Sequence, residues 1–127
     1  MTLSPLSFGP ITTTILSDYA DLAHDHNPIH LDAAAARMAG FDDVIAHGLL
    51  PMAVMARAVT AWAGRASLVS LSARFTAPTP LGAVVTVSGR VSESSRQDGR
   101  EVVTLSLSAR TDTGVEVIVG TAQVRTD

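Results

Sequence analysis

The sequence predicts an α+β fold in which one long buried helix and one antiparallel sheet cover each other. Apolar residues recur with helical spacing in the first half of the chain, and they alternate with polar residues in the second half, as in half-buried strands. Of the 127 residues, 46% are hydrophobic and 17% are charged, which is enough apolar material for a packed core. A single domain over residues 1–127 is therefore expected.

Two short helices are expected before residue 40. Ser17 can cap a helix that runs to about Ala23, because a serine side chain can accept a hydrogen bond from a free N–H of the first turn. Asp32 can cap a second helix over residues 33–39 in the same way, and Gly40 is well placed to end it.

A third, longer helix is predicted over Leu49–Gly64. This segment is apolar on almost every side and has Pro51 near its first turn, where a missing N–H costs nothing. The run is short for a membrane span and carries Arg57 at its middle, so a buried helix is the better interpretation and no membrane association is expected.

Four strands are expected after this helix. The two segments between the later strands, residues 97–99 (QDG) and 112–114 (DTG), carry hairpin residues, which predicts antiparallel pairing. The alternating segments that form the strands are residues 67–75, 85–92, 103–110 and 115–124.

Charge and composition exclude several classes of function. The net charge is −3, and the nine basic residues are all arginines scattered along the chain, so no basic face for nucleic acid is expected. The absence of cysteine excludes disulfides and thiolate chemistry. The first ten residues have neither a basic start nor a long apolar run, so no signal peptide and a cytoplasmic location are expected.

Three of the four histidines lie within residues 24–30 (HDHNPIH). Pro28 disfavours regular structure here, and only a turn can bring the side chains of Asp25 and His30 around one small volume. A carboxylate and an imidazole that share a water molecule make an acid-base pair suited to the reversible hydration of a double bond. The alternative is that Asp25 and Asp32 cap helices while the histidines are surface residues.

A second candidate lies at His47–Gly48, at the entry to the long helix. The unpaired N–H groups and the positive end of the helix dipole favour a developing negative charge there, such as an enolate oxygen. Gly48 permits a close approach to the backbone, but a tight turn before a helix has the same sequence.

These segments together resemble the hydratase motif of the MaoC-like dehydratases, which include (R)-specific enoyl-CoA hydratases and hydroxyacyl-thioester dehydratases. The resemblance covers most of the chain. It is carried, in order, by Tyr19–Ala20, residues 25–30 (DHNPIH), Gly40–Phe41, residues 45–50 (IAHGLL) and residues 74–78 (RFTAP).

The resemblance implies a hotdog fold, in which an antiparallel sheet wraps a long central helix. It implies that Asp25 and His30 activate water for addition to a trans-2-enoyl thioester of CoA or acyl carrier protein. Asn27, His47 and Gly48 would then orient the substrate and hold its thioester oxygen, with no metal or cofactor. With one hotdog unit, the chain is expected to form a homodimer, and a heterodimer with a related subunit is the alternative.

Three other functions remain open at this stage. The chain can be a non-catalytic hotdog subunit that binds acyl thioesters or supports a catalytic partner. It can be a hotdog thioesterase, which cleaves the thioester instead of hydrating the alkene. It can also be a metal-dependent enzyme, since several side chains are capable ligands, namely His24, Asp25, His26, His30 and His47.

Overall fold

A computed structural model describes residues 2–64 and 67–125 and confirms the α+β class. The strands form one five-stranded antiparallel sheet in the order β1-β3-β4-β5-β2, and helix α3 contacts all five of them. The elements, in chain order, are β1 (Leu6–Phe8), α1 (Thr13–Ala23), a 3₁₀ turn (Pro28–His30), α2 (Ala33–Met38), α3 (Leu49–Ala63), β2 (Leu68–Phe75), β3 (Val85–Gln97), β4 (Arg100–Thr111) and β5 (Glu116–Arg125).

Helix α1 begins earlier than the sequence predicted. Thr12, not Ser17, is its N-cap, and the Thr12 hydroxyl accepts a hydrogen bond from the N–H of Ile15. The earlier start places Leu16 and Ala20, one helical turn apart, in the core. The predicted cap of α2 is confirmed, because Asp32 Oδ1 accepts a hydrogen bond from the N–H of Ala34 at 2.9 Å.

Helix α3 confirms the predicted long helix but is not buried on every side. One face packs on the sheet, where Met55 lies so close to β5 that a Cβ on Gly120 would be 2.7 Å from its sulfur. The opposite face carries Leu49, Ala53 and Arg57, all exposed in the single chain. No helix among the described residues is long and apolar enough to cross a membrane.

The antiparallel hairpins predicted from the turn residues are present. Asp98 and Gly99 form a two-residue turn with φ of 53° and 78°, and Gln97 pairs with Arg100 across it. Alternation in β2 predicted one buried face carrying Val69, Leu71, Ala73 and Phe75, and this needs correction at both ends of the strand. Val69, beside an irregularity between Leu68 and Ser70, and Phe75 are exposed in the single chain. Strand β1 was not predicted, because three residues are too few to show alternation.

Candidate active site

The segment between α1 and α2 turns twice. Helix α1 ends at His24, which adopts a left-handed conformation with φ of 54°. The 3₁₀ turn then begins, capped by Asn27, whose side-chain oxygen accepts a hydrogen bond from the N–H of Ile29. These two local structures place Asp25 at the start of the loop and His30 at its end, facing each other.

Asp25 and His30 approach closely without a direct hydrogen bond. Asp25 Oδ2 lies 3.9 Å from His30 Nε2, which is beyond hydrogen-bond distance. The Asp25 side chain is 50% exposed, and that of His30 is 9% exposed. The other carboxylate oxygen accepts a hydrogen bond from the N–H of Asn27, so the orientation of the carboxylate is fixed. The gap between the two groups is of a size that a water molecule can bridge.

The orientation of the His30 ring is set by a main-chain carbonyl. His30 Nδ1 donates a hydrogen bond to the carbonyl oxygen of Ile45 at 2.8 Å. A second bond, from the N–H of Ile45 to the carbonyl of Ile29, ties the same two segments together. Because Nδ1 carries the proton in the neutral ring, Nε2 is left as an acceptor on the side of Asp25.

His47 lies behind this pair. Its ring is 2% exposed, and its Nε2 donates a hydrogen bond to the main-chain oxygen of Asp25 at 3.0 Å. The ring stacks on that of His30 with centroids 3.9 Å apart, and it meets Tyr19 edge-on at 5.0 Å. The structure thus places His47 against both candidate catalytic residues, and its part in orienting the substrate stays a prediction.

Gly48 lies at the N-terminus of α3 and lines a groove of about 400 Å³ next to His30. No acceptor for the Gly48 N–H is found within residues 2–64 and 67–125. Phe75 forms one wall of the groove, and its ring lies 3.4 Å from where a Cβ on residue 48 would be. The sequence placed Phe75 in a strand but gave no signal that it faces Gly48.

The remaining histidines are surface residues. His24 and His26 are exposed, and His26 Nε2 pairs with Asp21 Oδ1 at 2.8 Å. The surface alternative raised by the sequence therefore describes these two histidines but does not describe His30 and His47, which are buried.

A metal-binding role fits the site poorly. Asp25, His30 and His47 each offer a ligand atom, all within 4.8 Å of one another. The two imidazole rings, however, are stacked with 25° between their planes. Imidazole lone pairs lie in the ring plane, so those of two stacked rings do not converge on one ion. The geometry is better suited to acid-base chemistry on a water molecule.

Comparisons with known proteins find a family match over most of the chain. The family model of the MaoC-like domain matches residues 8–113. A 64-residue segment is 39% identical to the mitochondrial 3-hydroxyacyl-(acyl-carrier-protein) dehydratase of Arabidopsis thaliana, covering 50% of the chain and 39% of that relative.

Two solved structures extend the similarity to the whole chain. The R-hydratase PhaJ1 from Pseudomonas aeruginosa is 27% identical with a TM-score of 0.86, over 99% of this chain and 79% of that one. The (R)-hydratase from A. caviae involved in PHA biosynthesis is 25% identical with a TM-score of 0.86, over 100% of this chain and 95% of that one. These matches confirm the predicted hotdog fold.

Proposed function

Because the chain belongs to the MaoC-like domain family of hydratases and dehydratases, we propose that it adds water reversibly to a trans-2-enoyl thioester of CoA or acyl carrier protein. The product of hydration is a (3R)-hydroxyacyl thioester. The observation that carries the proposal is the 3.9 Å gap between Asp25 Oδ2 and His30 Nε2, beside the groove that Gly48 lines.

The acid-base pair activates the water. Both Asp25 Oδ2 and His30 Nε2 are acceptors directed at the gap, so a water there donates to both and presents its oxygen lone pair to the substrate. The pair takes one proton from the water as its oxygen bonds to C3 of the enoyl group. It delivers one proton to C2, so the net change is the addition of one water molecule across the double bond.

The N–H of Gly48 stabilises the intermediate charge. Attack at C3 pushes electron density through C2 onto the thioester oxygen. The Gly48 N–H, at the start of a 15-residue helix, supplies a donor and the positive end of the helix dipole to that oxygen. The N–H binds the negatively charged enolate oxygen more strongly than the neutral thioester carbonyl, and it therefore lowers the barrier.

The groove supplies an apolar wall for the substrate. Pro51, Phe75 and Ala77 face it together with Gly48, and they leave space for an acyl group beside His30. In the single chain the groove is open to solvent, and Asp25 is half exposed. A covered site would strengthen each of these electrostatic interactions, since water screens them.

We infer that a second copy of the chain provides the cover. Among the described residues β2 pairs only with β5, so its outer edge is free to join the β2 edge of another copy. Leu49 on α3 and Phe75 at the end of β2 are 59% and 51% exposed. Phe75 lines the groove, and Leu49 directly follows Gly48, which also lines it. A heterodimer with a related hotdog subunit would use the same surface.

Light scattering on Leu49→Glu tests this arrangement. The charge costs little in a monomer, where Leu49 is exposed, but it disrupts a dimer that buries the residue. The matched control is Leu22→Glu, which changes a side chain 78% exposed on α1. A dimeric wild type, with only Leu49→Glu shifted to the monomer mass, supports the proposal; a monomeric wild type at every concentration tested contradicts it.

The reaction itself is tested by incubating the purified wild-type protein with crotonyl-CoA and with longer trans-2-enoyl thioesters of CoA and of acyl carrier protein. The proposal predicts loss of the enoyl absorbance and a product of 3R configuration. Release of free thiol without hydration would identify a thioesterase. Hydration only after a partner subunit is added would identify the supporting-subunit alternative. The cytoplasmic location stays a prediction, which cell fractionation tests.

A further inference from the structure

We propose that His47 is a positioning residue, held with a proton on Nε2, that fixes the separation of Asp25 and His30. The inference rests on the proposed function, because it concerns the same acid-base pair. His47 itself is not among the residues that line the groove. It acts through one hydrogen bond to the backbone of Asp25 and one ring contact with His30.

The hydrogen bonds require opposite tautomers in the two stacked rings. A carbonyl oxygen can only accept, so the nitrogen that contacts it must carry the proton. His30 uses Nδ1 to contact the Ile45 carbonyl, whereas His47 uses Nε2 to contact the Asp25 carbonyl. In the neutral rings, the bare nitrogens are therefore His30 Nε2 and His47 Nδ1.

The second ring nitrogen of His47, Nδ1, differs from Nε2 in its surroundings. His47 Nδ1 is buried, and no other group of residues 2–64 and 67–125 forms a hydrogen bond with it. Among the described residues, the one hydrogen bond of the His47 ring is that from Nε2 to the Asp25 main-chain oxygen at 3.0 Å. The His47 ring thus forms one hydrogen bond, to the main chain of Asp25, and stacks on the His30 ring. These contacts indicate that His47 positions its two neighbours.

The contacts of His47 join the two catalytic segments. Asp25 lies in the loop after α1, His30 lies at the end of the 3₁₀ turn, and Tyr19 lies on α1. The His47 ring is packed between Tyr19 and His30 while its Nε2 holds the Asp25 backbone. A change in the ring should therefore alter the 3.9 Å gap where the water is activated.

Two substitutions separate the two contacts. His47→Phe keeps the ring but removes the N–H, whereas His47→Gln keeps an N–H donor at a similar position but removes the ring. Leaving the Asp25 carbonyl without its donor should lower kcat by about ten- to hundredfold in His47→Phe, with KM changed less than about threefold, because the groove is untouched. His47→Gln should recover part of kcat. Wild-type kcat in His47→Phe would overturn the proposal.

Nitrogen-15 NMR of the imidazole rings tests the tautomers independently of activity. The background His24→Asn/His26→Gln removes the two exposed rings and leaves only the signals of His30 and His47. At a pH where both rings are neutral, the proposal predicts a protonated Nδ1 in His30 and a protonated Nε2 in His47. A protonated Nδ1 in His47 would overturn it even if the Phe variant failed to fold.

The two readouts separate this inference from the proposed function. If the wild type is inactive but its two rings still show opposite tautomers, the hydratase proposal is wrong. The catalytic role of His47 then fails with it, because there is no reaction for the residue to support. An active wild type with the same tautomer in both rings would keep the hydratase proposal and overturn the role of His47 alone.

Discussion

Replacing Gly48 by alanine should reduce activity without destabilising the fold. Gly48 has φ of −56° and ψ of −37°, a conformation that alanine adopts without strain. The added Cβ would lie 3.4 Å from two ring carbons of Phe75, an ordinary van der Waals contact. Because alanine restricts the unfolded chain more than glycine does, the substitution should raise the free energy of unfolding by about 0.4–1 kcal/mol. Alanine is a poorer helix N-cap than glycine, which offsets part or all of that gain.

The same methyl group lies in the groove, beside the N–H assigned to the thioester oxygen. If the oxygen can no longer reach this donor, the stabilisation of the developing negative charge is lost. Loss of one such donor lowers kcat by about 10²–10³, which corresponds to roughly 2.7–4 kcal/mol. Gly48→Ala should therefore combine a normal or raised melting temperature with a large fall in kcat.

Gly89→Ala provides the matched comparison. A Cβ on Gly89 would lie 2.9 Å from Leu107 and 3.2 Å from Trp62, so the core must shift, at a cost of about 1–3 kcal/mol. Gly89 does not line the groove, so kcat below the melting temperature should be unchanged. Thermal unfolding and initial rates of enoyl-thioester hydration measure both effects. Wild-type kcat in Gly48→Ala would refute the assignment of its N–H.

Further predictions concern caps, turns and the core. Asn27 and Asp32 each accept a hydrogen bond from the N–H two residues ahead, so Asn27→Ala and Asp32→Ala should each lower the free energy of urea unfolding by about 1 kcal/mol. Only Asn27→Ala should also lower kcat, because Asn27 caps the turn that carries His30. Equal kcat values would contradict this. Gly99→Ala, at φ of 78°, should cost about 1–2 kcal/mol in thermal unfolding and leave kcat unaltered. Leu105→Ala, in the core, should cost about 2–5 kcal/mol in urea unfolding, and a smaller loss would mean that the sheet relaxes around the cavity.

Local chemistry made much of the fold predictable. The cap at Asp32 and the turn at Asp98–Gly99 depend on residues within a few positions of one another, and both are present in the structure. Strand β1 and the exposure of Val69 depend on which strands become neighbours in the sheet. The order of strands in the sheet is set by packing between segments far apart in the chain. The alternation of apolar and polar residues within one segment carries no information about that order.

In the candidate site too, local features could be predicted from the sequence, whereas contacts between distant segments could not. Pro28 between Asp25 and His30 indicated a turn that brings the two side chains together, and the structure places them 3.9 Å apart. The sequence did not reveal which His30 nitrogen faces Asp25, because that depends on the Ile45 carbonyl, 15 positions along the chain. It also did not reveal that His47 lies behind the pair, since this contact spans 22 positions.

A double-mutant cycle of Asp25→Asn and His30→Gln tests the central claim most directly. Both replacements are close in shape to the native side chains, and initial rates of hydration of a trans-2-enoyl thioester are measured for the four proteins, each checked for folding. If the two groups share one water, each single variant should lose about 10²–10⁴ in kcat, and the double variant should be no worse than the poorer single one. Losses that multiply, or a single variant with wild-type kcat, would contradict a shared acid-base pair.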